Sequence, residues 1–217
     1  MKDMVRSVEK KGTKEQIRDV AIDLFSKKGY DAVSIREIAR TVGINEASIY
    51  NHYKGKEDIM DSIIESLIAE FNPGPEEAPV EVLLEKYGPE VYMNIAGKAV
   101  TERMKEPHIG VICRLICIEL YHNEKIRDFF KMTFMEPSHR IWELTFRKMM
   151  DLGYIKEYDE RLLSTEFFDY CIFLFFDCFV IRYDEVPYEE LIDNMINSMS
   201  KHIKFILDAV RIEEDSP

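Results

Sequence analysis

The chain has 217 residues, 46% of them hydrophobic and 32% charged, which describes a folded globular protein and excludes a disordered, collagen-like or low-complexity chain. Its 29 Lys and Arg against 41 Asp and Glu give a formal net charge of -12, so basic surface does not coat it, and any nucleic-acid site must be local. The acidity is uneven: residues 1–60 hold 12 basic and 10 acidic side chains, whereas residues 61–217 hold 17 and 31.

In chain order, Met1 to Lys11 lacks the apolar run of a secretory signal, which predicts a cytoplasmic protein with a disordered basic arm over residues 1–12. From Thr13 the apolar period is helical. Ile17, Val20, Ala21, Leu24 and Phe25 fall at i, i+3, i+4, i+7 and i+8, and Ile59, Met60, Ile63, Ile64 and Leu67 repeat the pattern. Thr13 with Gln16 and Ser34 with Glu37 read as capping boxes, and Asn45 as an N-cap. Helices are expected over 13–28, 34–41, 46–52, 56–71, 79–87, 89–105, 108–122, 124–150, 160–183 and 187–211, with a Pro/Gly break at 72–79. The reading is an all-α chain with an amino-terminal three-helix domain, 1–60, and a larger helical domain, 61–217. Its most apolar stretch, Phe167 to Ile181, is shorter than the roughly 20 residues of a membrane span and contains Asp169 and Asp177, so no membrane association is expected.

Residues 34–53 carry the clearest motif. Ile35, Ile38, Ala39 and Val42 form the inner face of one short helix. Small Ala39 permits close approach of the next helix, and Gly43 permits a sharp turn at positive φ. Ile44 and Ile49 anchor that next helix from beneath, which turns Glu46, Ala47, Ser48, Asn51 and His52 outward as a polar face suited to base edges in a major groove. This is a helix-turn-helix.

The order of Phe25, Gly29 and Tyr30, then Ser34, Ile38 and Ala39, then Gly43, Ile44, Ser48, Tyr50, His52 and Tyr53, then Lys56 and Glu57, resembles the DNA-binding region of the TetR family of repressors across Thr13 to Ile64. Asn45 stands where the family often has Ser, Tyr53 where it usually has Phe, and Gly55 where Ser is common. The resemblance implies that Ser34, Tyr50, His52 and Lys56 hold phosphates. It further implies that Asn45, Glu46, Ala47, Ser48 and Asn51 read bases, with Tyr53 an aromatic wedge in the same DNA-binding set. Glu46 repels phosphate yet can accept from a cytosine amine. By the same resemblance the chain is a homodimer paired through its last two long helices, binds a palindromic operator on double-stranded DNA, and is released by a small effector.

The carboxy-terminal helices suit that role. Phe167 to Ile181 is apolar on nearly all sides, and Leu191, Met195, Met199, Ile203 and Ile206 form a second stripe, as a dimeric four-helix bundle requires. Residues 89–182 are expected to enclose the effector. Met93, Met104, Cys113, Cys117, Tyr121, Phe134, Met135 and Trp142 are candidate wall residues, together with Phe146, Phe167, Tyr170 and Phe173. Glu119 interrupts an apolar face and is the candidate polar contact of a mainly apolar ligand.

Two alternatives stand beside this. Glu119 with His122 and Glu136 with His139 match the Glu-x-x-His motif of di-iron bundles, but about 15 residues of returning helix, at about 1.5 Å each, separate the two histidines by roughly 22 Å. The other alternative is a DNA-binding protein without an effector. No catalytic residue, metal or cofactor is expected, because no nucleophile elbow, zinc motif or phosphate-binding glycine loop is present. Cys113, Cys117, Cys171 and Cys178 form no CxxC pair and are expected to stay reduced, as buried small hydrophobes or as a thiol sensor.

Overall fold

The computed structural model describes residues 12–71, 79–183 and 185–212. Most of the basic arm and of the Pro/Gly break at 72–79 lies outside them. The described residues form helices joined by turns, with no strand among them, so the protein is all-α. No described helix is long and apolar enough to cross a membrane. Two compact units divide the chain, Met1–Ile68 and Ala69–Pro217.

The first unit contains α1 (Thr13–Lys28), α2 (Ile35–Val42), α3 (Glu46–Ile49) and the start of α4 (Lys56–Phe71). Its core is the apolar stripe of each helix: Ile17, Ala21 and Phe25 from α1, Ile38 and Ala39 from α2, Ile49 from α3, and Ile59 and Ile63 from α4 are all buried. The α1 cap differs from the expected Thr13–Gln16 box. Gly12 is the N-cap, and its N–H donates to the Glu15 carboxylate at 3.2 Å, because the chain turns into the helix one residue earlier than Thr13. At α2 only half of the expected box forms. Ser34 Oγ accepts from the Glu37 N–H at 3.1 Å, but the Glu37 carboxylate turns away to Lys28 Nζ at 2.6 Å, tying α2 to the end of α1. That hydrogen bond holds the Glu37 carboxyl below the usual carboxylate range.

The second unit contains α5 (Val80–Met104), α6 (Pro107–Glu119), α7 (Glu124–Phe129), α8 (Glu136–Asp151), α9 (Glu160–Phe176) and α10 (Tyr188–Ala209). The two helices expected on either side of Gly88-Pro89 are one helix kinked there, at a glycine with φ 73° and ψ 165°. The helix expected over 124–150 is interrupted by a π-helical turn, Phe130–Met135, and the one over 160–183 by a second, Asp177–Ile181. Each extra residue per turn re-aims the side chains that follow, and an uninterrupted apolar pattern gives no warning of it. Phe130 and Phe134 of the first π turn lie tilted to each other with ring centres 5.3 Å apart, and Phe134 meets Phe168 and Phe175 of α9 at 6.1 and 6.3 Å.

Helix α8 lies along α9, and α5 along α10, which also packs on α9. The stripe of Leu191, Met195, Met199, Ile203 and Ile206, expected to face a second subunit, is buried within the chain's own core. Periodicity marks an apolar face correctly but does not say what that face meets.

Candidate functional site

The turn between α2 and α3 is built from local hydrogen bonds. Gly43 sits at φ 84°, ψ 27°, its N–H donating to Arg40 O at 3.3 Å and that of Ile44 to Ala39 O at 3.0 Å. This is the left-handed helix end that glycine adopts without strain. Two residues later the Asn45 side chain accepts from the Ser48 N–H at 2.8 Å, starting α3. The Ser48 hydroxyl also donates to the Asn45 carboxamide at 2.8 Å. Both expected base readers are therefore engaged with each other, and the cap organises the helix rather than leaving two free side chains.

Helix α3 is shorter than the expected 46–52. After Ile49 the backbone tightens, and the N–H groups of His52 and Tyr53 both donate to Ile49 O at 2.9 Å. Glu46, Ala47, Asn51 and His52 are exposed, and Tyr50 is 55% exposed. They form the polar face anticipated from the motif, presented partly by the helix and partly by the turn after it.

Two expected DNA contacts, Tyr53 and Lys56, have partners within the unit. Tyr53 is only 3% exposed, and its hydroxyl donates to Lys14 O at 3.1 Å and lies 3.4 Å from Ser62 Oγ. It is a core wedge joining α1 to α4, because the tightened turn swings it inward. Lys56 is half-buried, with Nζ donating to Tyr30 O at 2.8 Å and lying 4.1 Å from the Tyr30 ring centre, so its charge ties α4 to the α1–α2 loop. Tyr30 in turn meets Phe25 edge-on at 5.2 Å. Two cations escaped the sequence reading. Arg36 and Arg40, one turn apart on the outer face of α2, are exposed and line a surface groove with Ser34, Ala39, Ile44 and Glu46. Their i,i+4 spacing, on the face opposite Ile38, was the available signal.

The second unit contains a half-open cavity of about 130 Å³ among α5, the first π turn, α8, α9 and α10. Of the expected wall residues, Met104, Phe134, Trp142 and Phe167 line it. Met93, Cys113, Cys117, Glu119, Tyr121, Met135, Phe146, Tyr170 and Phe173 do not. Met93 and Glu119 are buried elsewhere, Tyr121 is 84% exposed, and Phe173 faces outward, since rotation about each helix axis rather than residue type decides which side chains reach the interior. Residues not anticipated, among them Gly97, Phe168, Cys171, Phe175, Met195 and Met199, complete the wall.

The Glu-x-x-His alternative finds no support in the geometry. Among the described residues no three His, Cys, Asp or Glu side chains are grouped to hold a metal ion, and His139 Nε2 pairs with Asp169 at 3.1 Å. The thiol-sensor reading also weakens. Burial pushes the Cys117, Cys171 and Cys178 thiols up to about 12 and that of Cys113 well above its usual value, which leaves little of the reactive thiolate at neutral pH.

Residues 17–63 match the model of the bacterial regulatory proteins of the tetR family. The chain is 43% identical over 58 residues to IcaR, the HTH-type negative transcriptional regulator of the biofilm operon icaADBC, from Staphylococcus epidermidis. That match covers 27% of this chain and 31% of the relative, so the chain spans about a third of the length of the curated relatives it matches. Solved structures extend the likeness to the whole fold. SmeT in complex with triclosan superimposes with a TM-score of 0.64 at 15% identity, over 95% of this chain and 100% of that one. SmeT is described as the repressor of the Stenotrophomonas maltophilia multidrug efflux pump SmeDEF. PfmR, a TetR-family regulator from Thermus thermophilus, superimposes with a TM-score of 0.59 at 18% identity, over 91% and 99% of the two chains. The amino-terminal helix-turn-helix thus matches the tetR family model over residues 17–63, and the chain shares its fold with solved TetR-family regulators.

Proposed function

We propose that this protein is a homodimeric, DNA-binding transcriptional regulator, a repressor that a small, mainly apolar effector releases from a palindromic operator. The observation that carries the DNA-binding half is the turn at Gly43 and Asn45, which holds a short helix end-on to solvent with Glu46, Ala47, Tyr50, Asn51 and His52 outward. Arg36 and Arg40 on the adjoining face of α2 supply phosphate contacts that position this face. One such head covers too few base pairs for a unique site, and two heads about 34 Å apart enter successive major grooves. The likeness to IcaR and to SmeT supports the repressor reading, and the triclosan bound by SmeT supports an effector of modest size.

The pairing surface we assign to the outer faces of α9 and α10. Phe173 is 52% and Phe205 67% exposed, and Tyr170, Phe173, His202 and Phe205 make a continuous ring cluster there, with Tyr170 and His202 centred 4.1 Å apart. Such an apolar surface is costly in water and suits burial against a second copy. We assign the protein a binding role and no enzymatic reaction.

Selection of genomic fragments, followed by a salt titration on the recovered DNA, tests the proposal. The wild type is expected to recover a palindromic site. Arg36→Ala and Arg40→Ala are each expected to lower the slope of log affinity against log salt by about one, whereas Tyr50→Ala weakens binding without unfolding the protein. Recovery of no enriched sequence, or binding indifferent to all three substitutions, overturns the reading.

A further inference from the structure

We infer that the cavity in the second unit takes an uncharged, single-ring aromatic molecule, and that Gly97 and Met199 together set the size it accepts. The inference deepens the effector reading above and rests on it. Size is the first argument. About 130 Å³ is close to the roughly 150 Å³ of an engineered apolar cavity that stays dry and takes up benzene, and well below the roughly 300 Å³ at which drug-sized pockets begin.

Charge is the second argument. No ionisable carboxylate, ammonium, guanidinium or imidazole lines the cavity. Asp169, next to Phe168 of its α9 wall, is turned to His139 Nε2 at 3.1 Å. Of the polar side chains that do line it, the Thr101 hydroxyl is committed to Gly97 O at 3.1 Å, and burial raises the Cys171 thiol to about 12. An ion entering here loses its hydration and meets no counter-charge. A neutral ring loses nothing of that kind and meets the edges and faces of Phe134, Trp142, Phe167, Phe168 and Phe175. Ser138 offers one hydroxyl, which admits a phenol as well as a hydrocarbon.

The size limit follows from one missing atom. A Cβ on Gly97 of α5 would lie 2.6 Å from the terminal methyl and 2.7 Å from the sulfur of Met199 on α10. The absent side chain is therefore the space that the Met199 side chain occupies, and this is why α10 can seat a methionine between the cavity and α5. Alanine at 97 does not touch backbone and improves local helix propensity, but it drives the flexible end of Met199 into the cavity.

The test uses the purified full chain and four probes of nearly equal shape: toluene and p-cresol as neutral rings, benzoate as the anion and benzylammonium as the cation. Toluene and p-cresol are expected to raise the melting temperature, and benzoate and benzylammonium to leave it unchanged. Gly97→Ala is expected to weaken toluene binding about tenfold or more, and the added Met199→Ala to restore it. If Gly97→Ala changes the melting temperature without ligand, Cys171→Met fills the same volume from α9 and is expected to weaken binding in its place. Charged probes binding as well as toluene, no neutral probe binding, or unchanged affinity in the filled variants overturns the inference. Release of operator DNA is measured separately: toluene that binds without releasing DNA supports the cavity assignment and refutes only the effector-release reading.

Discussion

Replacing Gly43 with alanine isolates the backbone geometry on which the DNA-reading face depends. Gly43 is at φ 84°, ψ 27°, and a Cβ built there meets no atom within 4 Å. The whole effect is then conformational. The left-handed conformation costs an L-residue about 1–2 kcal/mol, and the stiffer unfolded chain returns about 0.4–1 kcal/mol, so a net loss near 1 kcal/mol is expected. Asparagine, which tolerates this region better, should cost less. Gly55→Ala is the control, since Gly55 also has open space at its Cβ but no positive φ. Urea unfolding monitored by circular dichroism, with operator affinity measured alongside, reads both consequences. The alanine variant should lower the midpoint of the amino-terminal unit and weaken DNA binding, because relaxing φ tilts α3 away from α2. A Gly43→Ala protein as stable as wild type, or Asn costing as much as Ala, refutes the reasoning.

Tyr53→Phe removes a buried hydroxyl bonded to Lys14 O and is expected to cost about 0.5–1.5 kcal/mol of stability, whereas Tyr50→Phe is expected to weaken DNA binding at unchanged stability. Denaturant titration and operator binding on both variants check this, and the reverse pattern would restore Tyr53 as a DNA contact. Glu37 and Glu81 are held below their ordinary 4.5 by hydrogen bonds from Lys28 and Lys148. Their folded pKa values are depressed, so the stability they contribute is complete above 4.5 and fades as pH falls through the lower folded values. Glu37→Gln should therefore be less stable than wild type at pH 7, with the gap closing in acid, and a gap that does not change with pH would count against the pairing. Phe205→Asp is expected to yield a monomer by sedimentation; as an ordinary surface position it would change stability by no more than about 0.5 kcal/mol and leave assembly intact.

The correspondence between sequence and structure is closest where the determining contacts are short in sequence. Ser34 caps α2, Gly43 ends it and Asn45 starts α3 through hydrogen bonds spanning three to five residues, and each was readable from residue type and spacing. Polar outward residues of α3 followed directly, since burying Ile49 leaves the rest no other side to occupy. The partners of Tyr53 and Lys56, at Lys14 and Tyr30, lie far along the chain and could not be read from local spacing. The ligand cavity was the least legible feature. Met104, Phe134, Trp142 and Phe167 were anticipated by being large and apolar, but Gly97, which shapes the wall by having no side chain, carries no such mark.

The sequence by itself determined that the chain is helical and that residues 34–53 form a helix-turn-helix, because caps, glycine conformations and a 3.6-residue period are local consequences of residue chemistry. Only the tertiary structure decided which apolar faces meet. The Met195–Met199 stripe of α10 covers its own core while Phe205 on the same helix stays exposed, and the π turn at Phe130–Met135 carries Phe134 to the cavity and re-aims Trp142 after it. Amphipathicity requires that a face be covered, and which surface covers it depends on packing between segments distant in the chain.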